Sequence, residues 1–116
     1  MKIRVVRIDP LHEPVITHID DGLKGFQNAV GGLIETISFT GSSDLVFNEE
    51  GKLNGLIPNR GIWPDDNGKF QDIIFGPIIC CGVDHMKGTF TSISDEDLEL
   101  CMKRFAKIEI WLAKLD

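Results

Sequence analysis

Cysteine is scarce in this chain. Cys80, Cys81 and Cys101 are the only three in 116 residues, an odd number with no paired C-x-x-C spacing. That pattern argues against a disulfide framework and offers no thiolate zinc site. Cys80 and Cys81 are adjacent in an apolar run, so on a strand their side chains face opposite ways. They read as small buried hydrophobes in a reducing compartment. The histidines His12, His18 and His85 lie in three separate segments, none with an i, i+2 or i, i+4 partner, so neither a metal nor a cofactor is expected. No apolar run approaches the roughly 18 residues that span a bilayer. The opening Met1-Lys2-Ile3-Arg4-Val5-Val6-Arg7 mixes charge with apolar residues and has no signal-peptide core. The expectation is a cytoplasmic chain without a membrane partner. Basic residues are outnumbered, 12 Lys and Arg against 18 Asp and Glu, for a net charge of −6. That field disfavours contact with phosphate backbones, so no nucleic-acid partner is expected. The carboxylates are nevertheless too sparse for a DNA mimic. No nucleophile, base and oxyanion set stands out.

What is present suits an ordinary globular domain. A hydrophobic fraction of 42% with 26% charged residues fits a single α+β domain spanning 1–116. Lys2–Ile8 and Val15–Ile19 read as two strands of an antiparallel hairpin, interrupted by Asp9-Pro10 and Pro14. Asp20-Asp21-Gly22 offers N-cap candidates for a short helix with Leu23, Phe26 and Val30 on one face, closed by Gly31-Gly32. Its internal Gly25 costs about 1 kcal/mol of helix propensity against Ala. Leu33–Phe39 alternates as a third strand, with Leu33, Glu35, Ile37 and Phe39 on one side and Ile34, Thr36 and Ser38 on the other. Leu45-Val46-Phe47 is a fourth. Phe70–Phe75 and Gly76–Val83 are the most apolar stretches, and the unalternating Ile78-Ile79-Cys80-Cys81 predicts a central strand covered on both faces, with Pro77 at its start. Thr89–Ser92 forms one more short strand. The fold expected is a mainly antiparallel sheet with a short helix after the second strand and a long C-terminal helix packed on one face.

Asn48 to Arg60 is the densest stretch in residues with specific backbone demands. Asn48-Glu49-Glu50-Gly51-Lys52 has the form of a tight turn, with Asn48 bonding backbone two residues on and Gly51 free to take a positive φ. In Leu53-Asn54-Gly55-Leu56-Ile57-Pro58-Asn59-Arg60, apolar residues would dock the segment on the core and carry Lys52, Asn54, Asn59 and Arg60 with it. An Arg with neighbouring amides suits phosphate or carboxylate, because its fork meets two oxygens at once. The competing reading is that Asn59 and Arg60 cap backbone groups of an irregular crossing. Gly61–Lys69 reads as a connection with a turn at Asp65-Asp66-Asn67-Gly68, which lacks the spacing of a calcium loop.

The C-terminal helix begins at Ser94, with Asp97 three residues on, as in a capping box. Leu98, Cys101, Phe105, Ile108, Leu112 and Leu115 continue as one stripe at alternating spacings of three and four. Glu109 falls inside that stripe and is expected either past the sheet edge or paired with an Arg, the edge being favoured because unpaired burial would be costly. Leu100 and Trp111 fall outside it, flanked by Arg104 and Lys107, and are candidates for self-association into a homo-oligomer.

The order of elements, together with Val30-Gly31-Gly32-Leu33-Ile34-Glu35, Asn48-Glu49-Glu50-Gly51-Lys52-Leu53, Pro58-Asn59-Arg60 and Phe90-Thr91-Ser92-Ile93-Ser94-Asp95-Glu96, resembles the domain-of-unknown-function family DUF3846. The resemblance runs from about Lys2 to Phe105. It implies a setting in bacteriophages and mobile elements of Gram-positive bacteria, hence the host cytosol, and no reaction. On this footing the expected function is a non-catalytic accessory binding protein that counteracts a host process, an anti-defence role. It would either sequester a small anionic, nucleotide-like ligand or occupy a host protein. One alternative is a small hydrolase using Glu49, Glu50 or Asp84 as general base near Arg60. The other is a purely structural or regulatory interaction domain.

Overall fold

The computed structural model describes residues 1–64 and 70–110. The apolar and β-branched run Lys2–Ile8 forms β1, and Val15–Asp20 forms β2, antiparallel to it with Lys2 opposite Asp20 and Arg7 opposite Val15. The helix α1, Leu23–Val30, follows as expected. Its N-cap is Gly22, which has no side chain to offer. It closes at Gly31, whose φ of 83° is the left-handed conformation that ends helices, with the Gly31 N–H donating to the Gln27 carbonyl at 2.8 Å.

β3 (Ile34–Thr40) and β4 (Ser43–Asn48) make a hairpin. β5 (Pro58–Pro64) pairs with β6 (Phe70–Phe75) as a separate two-stranded sheet. β7 (Ile78–Asp84), β8 (Thr89–Thr91) and α2 (Asp95–Arg104) complete the chain. The main sheet runs β2-β1-β7-β4-β3, antiparallel throughout, with β8 also on β7. β1 pairs with β7 only at Val6, Arg7 and Ile8, and β8 takes the far end of that edge at Gly82, Val83 and Asp84. Where β1 diverges, the Ile93 N–H donates to the Arg4 carbonyl at 2.9 Å and the Arg4 guanidinium binds the Ile93 carbonyl and Asp95.

Central position explains why Ile78 to Cys81 does not alternate: all four are fully buried, two on each face. On one face Ile3, Val5, Val46, Ile79 and Cys81 lie beneath Phe26 and Val30 of α1. On the other, Val6, Ile8, Leu45, Ile78 and Cys80 lie beneath Ile62 and Ile74 of the β5–β6 hairpin and Cys101 and Phe105 at the end of α2. Each such side chain contributes about 1.5–3 kcal/mol on burial, and Cys80 and Cys81 are divided between the faces as period 2 requires.

Three expectations are corrected. Pro58–Pro64 is a strand, where the sequence reads as an irregular crossing followed by a connection. Prolines at both ends and Gly61 within it conceal it, and pairing with β6 in a small outlying sheet tolerates them. The helix that begins at Ser94, capped by the Asp97 N–H on the Ser94 hydroxyl at 3.2 Å, ends at Arg104 after ten residues and does not continue through Phe105 and Ile108. Glu109 is buried, not past an edge, and its carboxylate accepts the Gly61 N–H at 3.0 Å. These tertiary bonds, together with a bond from Arg60 to the Phe105 carbonyl, outweigh the apolar stripe that favours more helix. The Asp65–Gly68 turn and Trp111, Leu112 and Leu115 lie outside the described residues.

Candidate functional site

The stretch from Asn48 to Leu56 is a single helical turn capped at both ends. The Asn48 side-chain oxygen accepts the Glu50 N–H at 2.8 Å, which is the N-cap bond. The Asn54 N–H donates to the Glu50 carbonyl at 2.9 Å, Gly55 to Lys52 at 3.2 Å and Leu56 to Gly51 at 2.9 Å. With Gly55 at φ 74°, the last two bonds are the 5→2 and 6→1 pair of a Schellman closure. Gly51, expected to supply a positive φ, does not have one. Its glycine is demanded by approach, since a Cβ there would stand 2.6 Å from the Phe75 carbonyl oxygen. The Asn48 amide also donates to the Val30 carbonyl at 3.2 Å, fastening the turn to the end of α1.

This compact turn presents what the sequence reading places inside. Leu53, expected to dock on the core, is 85% exposed, and Ile57 is 46% exposed. Lys52 and Asn54 flank Leu53 in solvent, the Lys52 ammonium lying 5.9 Å from the Phe75 ring centroid. Loop apolar residues between polar neighbours usually anchor. Here the Schellman closure spends Leu56 on that role, against Gly76, and leaves Leu53 outside.

Asn59 and Arg60 are elsewhere in character: both are buried, Arg60 completely. The Asn59 amide donates to the Ile8 carbonyl at 2.7 Å and the Gly76 carbonyl at 2.8 Å. Arg60 Nη1 donates to the Asn59 side-chain oxygen at 2.8 Å and the Asn59 carbonyl at 3.2 Å, while Nη2 donates to the His12 carbonyl at 2.8 Å and the Phe105 carbonyl at 3.0 Å. Only Nε lacks a partner. Burial pushes the guanidinium's pKa down, and the charge of Glu109 partly offsets this. The four residues predicted to bind a ligand are thus divided. Lys52 and Asn54 face solvent, and Asn59 and Arg60 tie the segments around 8–12, 59–61 and 105–109 together from within.

The carboxylates of the hydrolase alternative do not gather at Arg60. Glu49 and Glu50 are exposed on the capped turn, and Asp84 accepts the Met86 and Lys87 N–H groups of its own turn at 3.0 and 3.1 Å. Burial raises the Cys81 thiol to about 12, and a hydrogen bond with Cys101 followed by burial raises Cys80 further, which leaves both poor nucleophiles. Leu100 is 47% exposed on α2. The Arg104 guanidinium lies 5.2 Å from both the Trp63 and Phe105 rings. A shallow cleft of about 500 Å³ lies along α1, lined by Lys24, Gln27, Asn28, Gly31, Gly32 and Leu33. Among the described residues no group of three or more His, Cys, Asp or Glu is placed to hold a metal ion, and no helix is long and apolar enough to cross a membrane.

One ionisable group carries a pH signature. Asp44 lies between Ser38 and Cys81 across three strands; burial raises its pKa and the charge of His85 partly lowers it. An acid whose folded pKa is raised costs no stability below its unfolded value, and its cost is complete above its folded value. Asp44→Asn is therefore expected to raise the thermal midpoint at pH 7.5 and to leave it unchanged at pH 3, as differential scanning fluorimetry would read.

The family model described as a domain of unknown function, DUF3846, matches residues 1–106. No curated protein and no solved structure matches the chain.

Proposed function

Taking as premise that the chain belongs to the DUF3846 family, we propose that it is a non-catalytic binding protein that occupies the surface of another protein through the capped turn Asn48–Leu56. The observation that supports this reading is Leu53, 85% exposed on a turn whose backbone bonds are satisfied at both ends. A large apolar side chain held on a rigid support loses little freedom on binding, which is how a small number of anchors come to dominate an interface. Lys52 and Asn54 on either side supply a cation and an amide for the polar rim. Asn59 and Arg60 hold the neighbouring strand and stay inside. In a phage or mobile-element setting the partner is a host protein, and the effect is to block it. A small-anion version of the same site would rest on Lys52 and Asn54 alone, without the Arg60 fork.

A photo-crosslinking residue in place of Leu53, compared with one in place of Met86, which is 96% exposed on another turn, tests the reading in a lysate of a Gram-positive host. The expected result is one discrete adduct from position 53, abolished by Lys52→Ala with Asn54→Ala, and none from position 86. Identical adducts from both positions would sink the proposal. A thermal midpoint raised by a nucleotide and returned to baseline by Lys52→Ala would replace the protein partner with a small anion.

A further inference from the structure

The two open edges of the main sheet are built differently. β2 follows Pro14, carries His18 and Asp20, and has Asp20 paired with Lys2 at 3.6 Å. These are the charges and prolines with which natural sheets guard their edges. β3, at the other end of the strand order, reads Ile-Glu-Thr-Ile-Ser-Phe-Thr, with no Pro, Lys or Arg. Among the described residues no strand pairs with its outer side. Its guards are the charge of Glu35 and a bulge, a register shift against β4 between Ser38 and Thr40. That leaves Ile34 to Ser38 regular, opposite Asn48 to Asp44.

We propose that this outer edge is a pairing site for β3 of a second copy of the chain, antiparallel about a two-fold axis at Thr36. That register sets no like charges directly opposite one another. Ile34 meets Ser38, Glu35 meets Ile37, and Thr36 meets Thr36, a favourable cross-strand pair. Residues of equal parity meet, so the face carrying α1 in one copy continues into the same face of the other, whereas a slip of one residue would reverse every side chain. The single charge of the edge does not face itself: the two Glu35 carboxylates are offset by two positions, about 7 Å along the strand. Each copy carries a net charge of −6, so added salt screens their repulsion and tightens the pairing. A basic foreign strand on the same edge would show the opposite salt response. The contact is isologous, uses no residue of the Leu53 turn, and stands or falls independently of it. Five paired residues place it among the small interfaces, with a dissociation constant of about micromolar order.

The test is native mass spectrometry and sedimentation of the intact chain across the micromolar range, at low and high salt. A species of twice 12.9 kDa is expected, favoured by salt, with Thr36→Lys raising the dissociation constant at least tenfold while near-UV circular dichroism stays unchanged. Diamide, which oxidises two thiols to a disulfide and is itself reduced to a hydrazine, is expected to cross-link Thr36→Cys into a covalent dimer. The same treatment should leave His18→Cys on β2 monomeric, the native cysteines all being buried. A chain that stays monomeric throughout with Thr36→Cys no faster than His18→Cys overturns the proposal, as does a dimer indifferent to Thr36→Lys or weakened by salt.

Discussion

Arg60→Met is expected to lower the stability of the domain by about 3–5 kcal/mol, the range for removing one partner of a buried charged network. The side chain is fully buried and donates four hydrogen bonds. A methionine of similar length fills much of the volume, yet it leaves the carbonyls of His12 and Phe105 and the Asn59 side chain without their donor. It also removes the positive charge near the buried Glu109 carboxylate. Each abandoned acceptor costs about 1–3 kcal/mol of desolvation that is no longer recovered. Since domains of this size are held by about 5–15 kcal/mol in total, the variant keeps only a fraction of its folded margin. With a slope of about 2 kcal/mol per molar, the urea midpoint falls by roughly 2 M. Lys52→Ala, on the exposed turn, is expected to shift it by no more than about 0.3 M, which corresponds to the roughly 0.5 kcal/mol typical of surface positions. Equal midpoints for the two variants would show that Arg60 is not a structural tie.

The second large effect reverses a simple rule. Gly25 lies within α1, and exchanging a mid-helix glycine for alanine ordinarily gains about 1 kcal/mol. In this fold α1 leaves β2 by such a tight path that a Cβ at position 25 would fall inside contact distance of the Asp20 carbonyl, a backbone atom that cannot swing aside. Overpacking of this kind costs about 1–3 kcal/mol, and here it carries the added cost of parting α1 from the strand before it. Gly25→Ala is expected to destabilise by about 2 kcal/mol net, read as a lower urea midpoint with unchanged helical circular dichroism. Gly41→Ala, at a site with nothing within 4 Å, is the neutral control. A gain at position 25 would mean that α1 can move away from the Asp20 carbonyl at little cost.

Gly25 and Arg60 show where reading a sequence stops. Alternation is local, so β1, β3 and the two-sided burial of Ile78–Cys81 were legible, as were the Ser94 cap and the Gly31 closure, each of which depends on residues within one turn. The β5 strand was not, because Pro58, Gly61 and Pro64 are poor strand formers, and its pairing with β6 crosses a connection whose residues reveal nothing of it. The end of α2 was not legible either. Phe105 and Ile108 continue the helical stripe, and the groups that pull the chain away from it, Gly61 and Arg60, lie more than 40 residues earlier in the sequence. At the candidate site the turn chemistry of Asn48 was visible. The division of its residues follows from their placement: Lys52 and Asn54 are on the capped turn before β5, whereas Asn59, at the register shift between Pro58 and Arg60, and Arg60 itself are both buried on β5.

The tie at Arg60 also sets a timetable. Its partners at His12 and Phe105 are 48 and 45 residues away in the chain, and the central β7 pairs with β1 across a still longer span. Contacts between such distant positions form late, after the entropy of closing long loops has been overcome. As the chain is synthesised, the hairpins β1–β2 and β3–β4 can assemble early, but the guanidinium lacks its Phe105 acceptor and the charge of Glu109 until that segment has left the ribosome. The domain therefore cannot close on its native state before that segment emerges, and a nascent chain halted earlier lacks the bond that ties Arg60 to the Phe105 carbonyl.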